Sequence, residues 1–117
     1  MHNFKELNVW QKSMDLAVNV YKMTDSFPKE DRFGLISQMR RATASIPSLI
    51  AEGAGRNSNK EFSNFLGMAI GSCYELETQA ILSQRLGYSN ETITNKIVNE
   101  CIFVSKMLTN LIKTYKS

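Results

Sequence analysis

At 117 residues the chain has the length of one domain, and 43% of it is hydrophobic, enough to fill a single core and too much for a disordered chain. A net charge of +3 and a pI near 9.0 permit binding to nucleic acid or to an acidic partner without demanding it. Met1-His2-Asn3-Phe4-Lys5-Glu6 holds no apolar run of the secretory kind, and no stretch reaches the roughly 18 apolar residues of a membrane span, so a cytoplasmic protein without membrane association is expected.

Two prolines and six glycines punctuate the chain so sparsely that long elements are expected, and four apolar-periodic segments follow. The first runs from about Val9 to Ser26. Trp10, Met14, Ala17 and Tyr21 step along one predicted face, with Asn8, Lys12, Asp15, Asn19 and Lys22 opposite. Phe27-Pro28 ends it, because a residue before proline is driven out of the helical region.

The second segment runs from about Glu30 to Glu52, with Leu35, Met39, Ala42, Ile46 and Leu49 as its core stripe. Pro47 lies inside it, yet the apolar pattern continues in phase, so one helix kinked at Pro47 is predicted. Gly53-Ala54-Gly55 supplies its end. The third opens on Ser58-Asn59-Lys60-Glu61, a capping-box pattern, and carries Phe62, Leu66, Ala69, Cys73, Leu76 and Ala80 to an end at Gly87. The fourth starts near Asn90 with the stripe Ile97, Cys101, Val104, Leu108, Leu111 and Tyr115, leaving Asn95, Asn99, Lys106, Asn110 and Lys113 in water. No strand pattern competes. The prediction is a single all-α domain over 1–117, an antiparallel up-and-down four-helix bundle.

The helices are not equivalent. Helices one and four each read as one apolar and one polar face and are expected to form the wet outside. The back of helix two carries Ser37, Ala44, Ser48 and Ala51, all small, and the back of helix three carries Gly67 and Gly71 in mid-helix, where each glycine costs about 1 kcal/mol relative to alanine. Small residues in a row let another helix approach closely, so these two backs are candidate subunit contacts of a closed homo-oligomer; the competing reading is bland surface.

Catalytic chemistry finds little to work with. The sole histidine is His2, in a terminus expected to fray, so no histidine-based triad and no carboxylate–histidine metal motif can be built, and neither metal nor cofactor is expected. Glu75 and Glu77, two apart on a helix, point to different faces. Cys73 and Cys101 both fall on apolar stripes without metal-type spacing and read as buried free thiols. Gly53-Ala54-Gly55-Arg56-Asn57-Ser58 looks like a phosphate loop but follows a helix and lacks the P-loop lysine; it reads as a helix end followed by an N-cap, with Arg56 and Lys60 placed to hold an anion there. Arg40 and Arg41 flank helix two, either as paired charges, for instance Arg41 with Glu75, or as part of a basic surface. Arg40, Arg41, Arg56 and Lys60 are thus the candidate contacts to nucleic-acid backbone.

Several runs together resemble a known family. They are Val9-Trp10-Gln11, Phe27-Pro28, Phe33-Gly34-Leu35, Arg40-Arg41-Ala42, Ser45-Ile46-Pro47-Ser48-Leu49-Ile50-Ala51-Glu52-Gly53, Gly71-Ser72, Glu75-Leu76-Glu77 and Leu86-Gly87-Tyr88. The chain resembles, over nearly its whole length, the bacterial four-helix bundle proteins named for intervening sequences in 23S ribosomal RNA genes, also labelled ribosomal protein S-twenty-three-like. The resemblance implies an up-and-down bundle that assembles as a ring-shaped homopentamer. One relative is an accessory protein that binds a reverse transcriptase and nucleic acid, while most members have no established activity. The family usually has asparagine where this chain has Leu49, so any polar contact made there by relatives is absent here.

Three readings follow. The first is a non-enzymatic homo-oligomeric accessory protein that binds RNA or DNA. The second is a protein–protein scaffold with no nucleic-acid role, and an enzyme is a distant third. Salt-sensitive retention of nucleic acid separates the first from the second.

Overall fold

The computed structural model describes residues 2–115. Four helices follow in order: α1 (Asn8–Thr24), α2 (Ser37–Ala54), α3 (Asn59–Arg85) and α4 (Glu91–Tyr115). Short connections reverse the chain each time, and α1 packs on α2, α2 on α3, α3 on α4 and α4 back on α1. The result is the predicted up-and-down four-helix bundle, 45 × 23 × 20 Å.

The third segment folds as its sequence dictates. The Ser58 hydroxyl accepts a hydrogen bond from the Glu61 amide at 3.1 Å, as a capping box requires. Phe62, Leu66, Ala69, Cys73, Leu76 and Ala80 are all buried. The helix ends in a Schellman motif: the amides of Gly87 and Tyr88 donate back to the carbonyls of Gln84 and Ser83, each at 2.9 Å. Gly87 has φ 79°, the left-handed conformation that glycine adopts without strain. Asn90 then caps α4, its Oδ1 accepting from the Ile93 amide at 2.8 Å.

The inward face of α1 differs from the expected one. Its buried residues are Val9, Ser13, Leu16, Val20, Met23 and Thr24, whereas Met14 and Tyr21 are exposed and Trp10 and Ala17 half-buried. Two polar residues disguised the true stripe. Ser13 and Thr24 enter the core because each hydroxyl bonds a carbonyl of its own helix, Ser13 that of Trp10 at 2.7 Å and Thr24 that of Val20 at 2.9 Å. The expectation that α1 and α4 form a simply wet outside fails with it. Met14, Val18 and Tyr21 on α1, and Ile93, Ile102 and Phe103 on α4, are all exposed.

The second segment is not helical from Glu30. A 3-10 turn (Lys29–Asp31) and a π turn (Arg32–Ile36) precede α2. The backbone leaves helical geometry at Gly34, with φ −105° and ψ −112°. There the Asp31 carboxylate accepts from the Leu35 amide at 3.2 Å, and a side chain on Gly34 would collide with that carboxylate. Pro47 sits buried within an α2 that runs on to Ala54. Ile50 is fully buried, whereas Leu49 is half-buried against the edge of the core, so the stripe passes through Ile50.

His2 does not fray as expected. Its amide donates to the Ala54 carbonyl at 2.9 Å, and its ring lies 4.7 Å from that of Phe62 and 4.6 Å from that of Tyr115. This aromatic trio straps the N-terminal segment across one end of the bundle.

Candidate functional site

The candidate arginines occupy two different ends of α2. Arg40 and Arg41 stand in its first turns and Arg56 just beyond its last, about 20 Å away at 1.5 Å of rise per residue. Lys60 follows in the first turn of α3. The four therefore form no single patch within one copy of the chain.

Two of the four are already engaged. Arg40 donates from Nε to the Thr24 hydroxyl at 2.9 Å, and from Nη2 to Asp25 at 2.9 Å and to the Tyr21 carbonyl at 3.3 Å, and it lies 4.6 Å over the Tyr21 ring. Arg56 pairs with Glu52 at 2.9 Å and stacks 4.7 Å over Phe65. Arg41 and Lys60 are exposed. The ion pairs among the described residues are Arg40–Asp25 and Arg56–Glu52, so the pairing considered for Arg41 with Glu75 does not form.

The small-residue backs are placed as their spacing requires. On α2, Ala44 and Ser48 are exposed and Ser37 and Ala51 half-buried, while Gly67 and Gly71 on α3 are exposed with open space where a side chain would begin. Ala44, Ser48 and Ala51 also form one wall of a shallow groove of about 370 Å³ between α1 and α2. Phe4, Trp10, Met14 and Ala17 form the other wall, with Pro47 at its floor. The α1 residues that the sequence suggested for the core thus join the candidate interface, and the signal was present as an apolar stripe offset from a second one.

A second groove, of about 510 Å³, runs between α1 and α4 and holds Lys12, Asp15, Lys96, Glu100 and Phe103. Asn19 donates to both Glu100 oxygens, at 3.1 and 3.0 Å. Charges of opposite sign alternate there, which suits a solvated seam.

Burial pushes the Cys73 thiol up to about 12, with help from Glu77, and raises Cys101 further in the same direction, with help from Cys73 and Glu77. A raised thiol pKa is the inert direction. Among the described residues no three His, Cys, Asp or Glu side chains gather within reach of a metal, and no helix is long and apolar enough to cross a membrane. Sequence reasoning passed over Phe33, which stands 87% exposed at the α1–α2 turn with the Arg32 guanidinium 5.2 Å from its ring. A lone aromatic in a turn carries no periodic signal.

Comparison with known proteins agrees with this bundle. Residues 5–110 match the model of the 23S rRNA-intervening sequence protein family. The chain belongs to that family. Among solved structures, a protein of unknown function from the S23 ribosomal protein family of Bacteroides thetaiotaomicron superposes with a TM-score of 0.80 at 28% identity. The match covers 90% of this chain and 98% of that one. No curated protein matches the chain. This family member therefore shares its bundle with a structural relative whose own function is unknown.

Proposed function

We propose that this family member is a non-enzymatic cytoplasmic protein that assembles with copies of itself, as a ring-shaped pentamer, and that the assembly binds nucleic acid as an accessory factor to a protein such as a reverse transcriptase. The observation that carries this reading is the α1–α2 groove. Trp10, Met14 and Ala17 face Ala44, Ser48 and Ala51 with almost no polar group between them. Such a surface loses free energy in water until another apolar surface covers it, at about 25 cal/mol per Å². The exposed Gly67 and Gly71 offer a second face on which a helix could close. Repetition around a ring would also gather Arg41 and Lys60, too few in one copy to hold a polyanion, into a larger basic surface.

Sedimentation velocity on the wild-type chain and on an Ala44→Glu, Ser48→Glu double variant tests assembly. The wild type is expected to sediment as an oligomer and the variant as a monomer; a wild-type monomer at micromolar concentration overturns the assembly. Fluorescence anisotropy with RNA and DNA oligonucleotides, titrated with salt, tests the rest.

A scaffold reading without nucleic acid has one observation in its favour. Phe33 and Arg32 form an exposed aromatic–guanidinium pair of the type that anchors protein interfaces, while Arg40 and Arg56 are occupied within the fold. Absence of any oligonucleotide binding at low salt would favour it.

A further inference from the structure

None of the four candidate residues lies on α4, the helix diagonally opposite α2. We infer that the outer face of α4, with Tyr74 of α3 at its edge, is a binding surface for single-stranded nucleic acid. The inference rests on the nucleic-acid reading and gives it a site separate from the arginines.

Lys106 and Lys113 are seven residues apart, so they share one face of α4 at a spacing of about 10 Å. With Asn110, Ile102 and Tyr74 they line a groove of about 510 Å³ between α3 and α4, and no acidic side chain lines it. The acids of α4 are Glu91, in its first turn, and Glu100, which is turned towards α1 and held there by Asn19. Beyond Glu100 the sequence contains three lysines and no acid. Neither Lys106 nor Lys113 is in an ion pair among the described residues, unlike Arg40 and Arg56. Lys113 lies in the last turn, where it also offsets the helix dipole; Lys106 is too far from that end for this to be its role.

The apolar components of this face select among polyanions. Tyr74 is 60% exposed, and Ile102 of α4, in the same groove, is 37% exposed. Asn110 lies exposed in the same groove as the lysines. An exposed ring beside two ammonium groups and an amide suits a stacked base and its phosphates, whereas an acidic peptide would use the lysines alone. In the order in which the helices neighbour one another, α4 is diagonal to α2, so Lys106 and Lys113 remain clear of the α1–α2 groove.

Anisotropy with a labelled single-stranded oligonucleotide of about 20 nucleotides, a length that spans one site of this type, tests the inference. The wild type, a Lys106→Glu, Lys113→Glu double variant, Tyr74→Ala, Tyr74→Phe and an Arg41→Glu, Lys60→Glu double variant are compared, each first shown to melt cooperatively. Charge reversal on α4 is expected to cut affinity at least ten-fold and to flatten the plot of log affinity against log salt by about 1.4, at about 0.7 per lost phosphate contact. Tyr74→Ala is expected to lose about ten-fold with the salt slope unchanged, and Tyr74→Phe to restore binding. Unlabelled oligonucleotide should compete and polyglutamate should not.

Full affinity in the Lys106→Glu, Lys113→Glu variant, alongside loss in the Arg41→Glu, Lys60→Glu variant, overturns this site and leaves the nucleic-acid reading standing. Equal competition by polyglutamate with a silent Tyr74→Ala overturns the assignment to nucleic acid. A wild type that binds no oligonucleotide at low salt overturns both.

Discussion

Arg40 and Thr24 meet side chain to side chain, Nε to Oγ1 at 2.9 Å, where α2 passes the end of α1. The same guanidinium reaches Asp25 and the Tyr21 carbonyl. That carbonyl lies in the last turn of α1 and also accepts from the Asp25 amide at 3.1 Å, so the guanidinium is an additional donor to it. Arg40 thus ties the end of α1 to α2 through three acceptors and pins the α1–α2 turn. Arg40→Ala is expected to lower stability by about 1–2 kcal/mol, since bonds to a charged group are the stronger class but this one is partly exposed. Arg40→Lys should recover little, because a single ammonium cannot reproduce the fork. Thermal melts check both. A melting temperature unchanged by Arg40→Ala would return the residue to the pool of free surface charges.

Glycines divide by what surrounds them. A side-chain carbon on Gly53 would lie 2.5 Å from the Phe65 Cβ, an atom fixed to the α3 backbone, so Gly53→Ala must push α2 and α3 apart. A loss of about 2 kcal/mol or more is expected, in the range of overpacked cores. Gly67 and Gly71 have nothing within 4 Å. Alanine at each is expected to raise the stability of the isolated bundle by about 0.5–1 kcal/mol by helix propensity. If these glycines lie at a subunit contact, the same substitutions weaken assembly. Denaturant melts at dilute concentration, paired with sedimentation at high concentration, read the two effects separately.

The two apolar arcs of α1 should respond in opposite ways. Leu16 is fully buried, and Leu16→Ala is expected to cost about 2–5 kcal/mol through lost burial and the cavity left behind. Met14 is exposed, and Met14→Ala is expected to change the unfolding free energy of a dilute monomer by less than about 0.5 kcal/mol. Met14→Glu is the stronger probe of assembly. An equal loss in stability from Met14→Ala and Leu16→Ala would mean that α1 is rotated from the position described.

How far the sequence could be read follows from these same residues. In α3 and α4 no polar residue interrupts the stripe assigned to the core, and nearly every residue of it is buried. Helix α1 presents two arcs, and the apolar one containing Trp10 masked the true one because Ser13 and Thr24 break the latter. Nothing in a linear pattern announces that a hydroxyl will bond its own helix and enter the core. The π turn at Gly34 was hidden for a related reason: Leu35 keeps the helical apolar phase, and only the local contact between Asp31 and the Leu35 amide diverts the backbone. The candidate basic site was legible as residue types but not as geometry. Arg40 and Arg56 have carboxylates close in space, and Asp25 is 15 residues away in the chain from the arginine it neutralises.

The buried thiols give stability a signature at high pH. Burial raises the Cys73 thiol from 9.0 to about 12 and raises Cys101 as well, so the folded state keeps protons that the unfolded state releases above pH 9. The sign is that of a raised pKa: the contribution is complete below the unfolded value and is lost as pH rises towards the folded one. Between about pH 9 and 12 each thiol is expected to remove up to roughly 1.4 kcal/mol per pH unit. The measurement is a difference between two proteins, so that only the contribution of the thiols remains. A Cys73→Ala, Cys101→Ala variant should be less stable than the wild type at pH 7, where it suffers from two small cavities, and should lose stability less steeply above pH 9. The same burial makes both thiols slow towards a disulfide reagent at pH 8 until the protein unfolds. Rapid labelling of the folded chain, together with parallel pH profiles for the two proteins, would show that water reaches the α3–α4 seam that Cys73 and Cys101 fill.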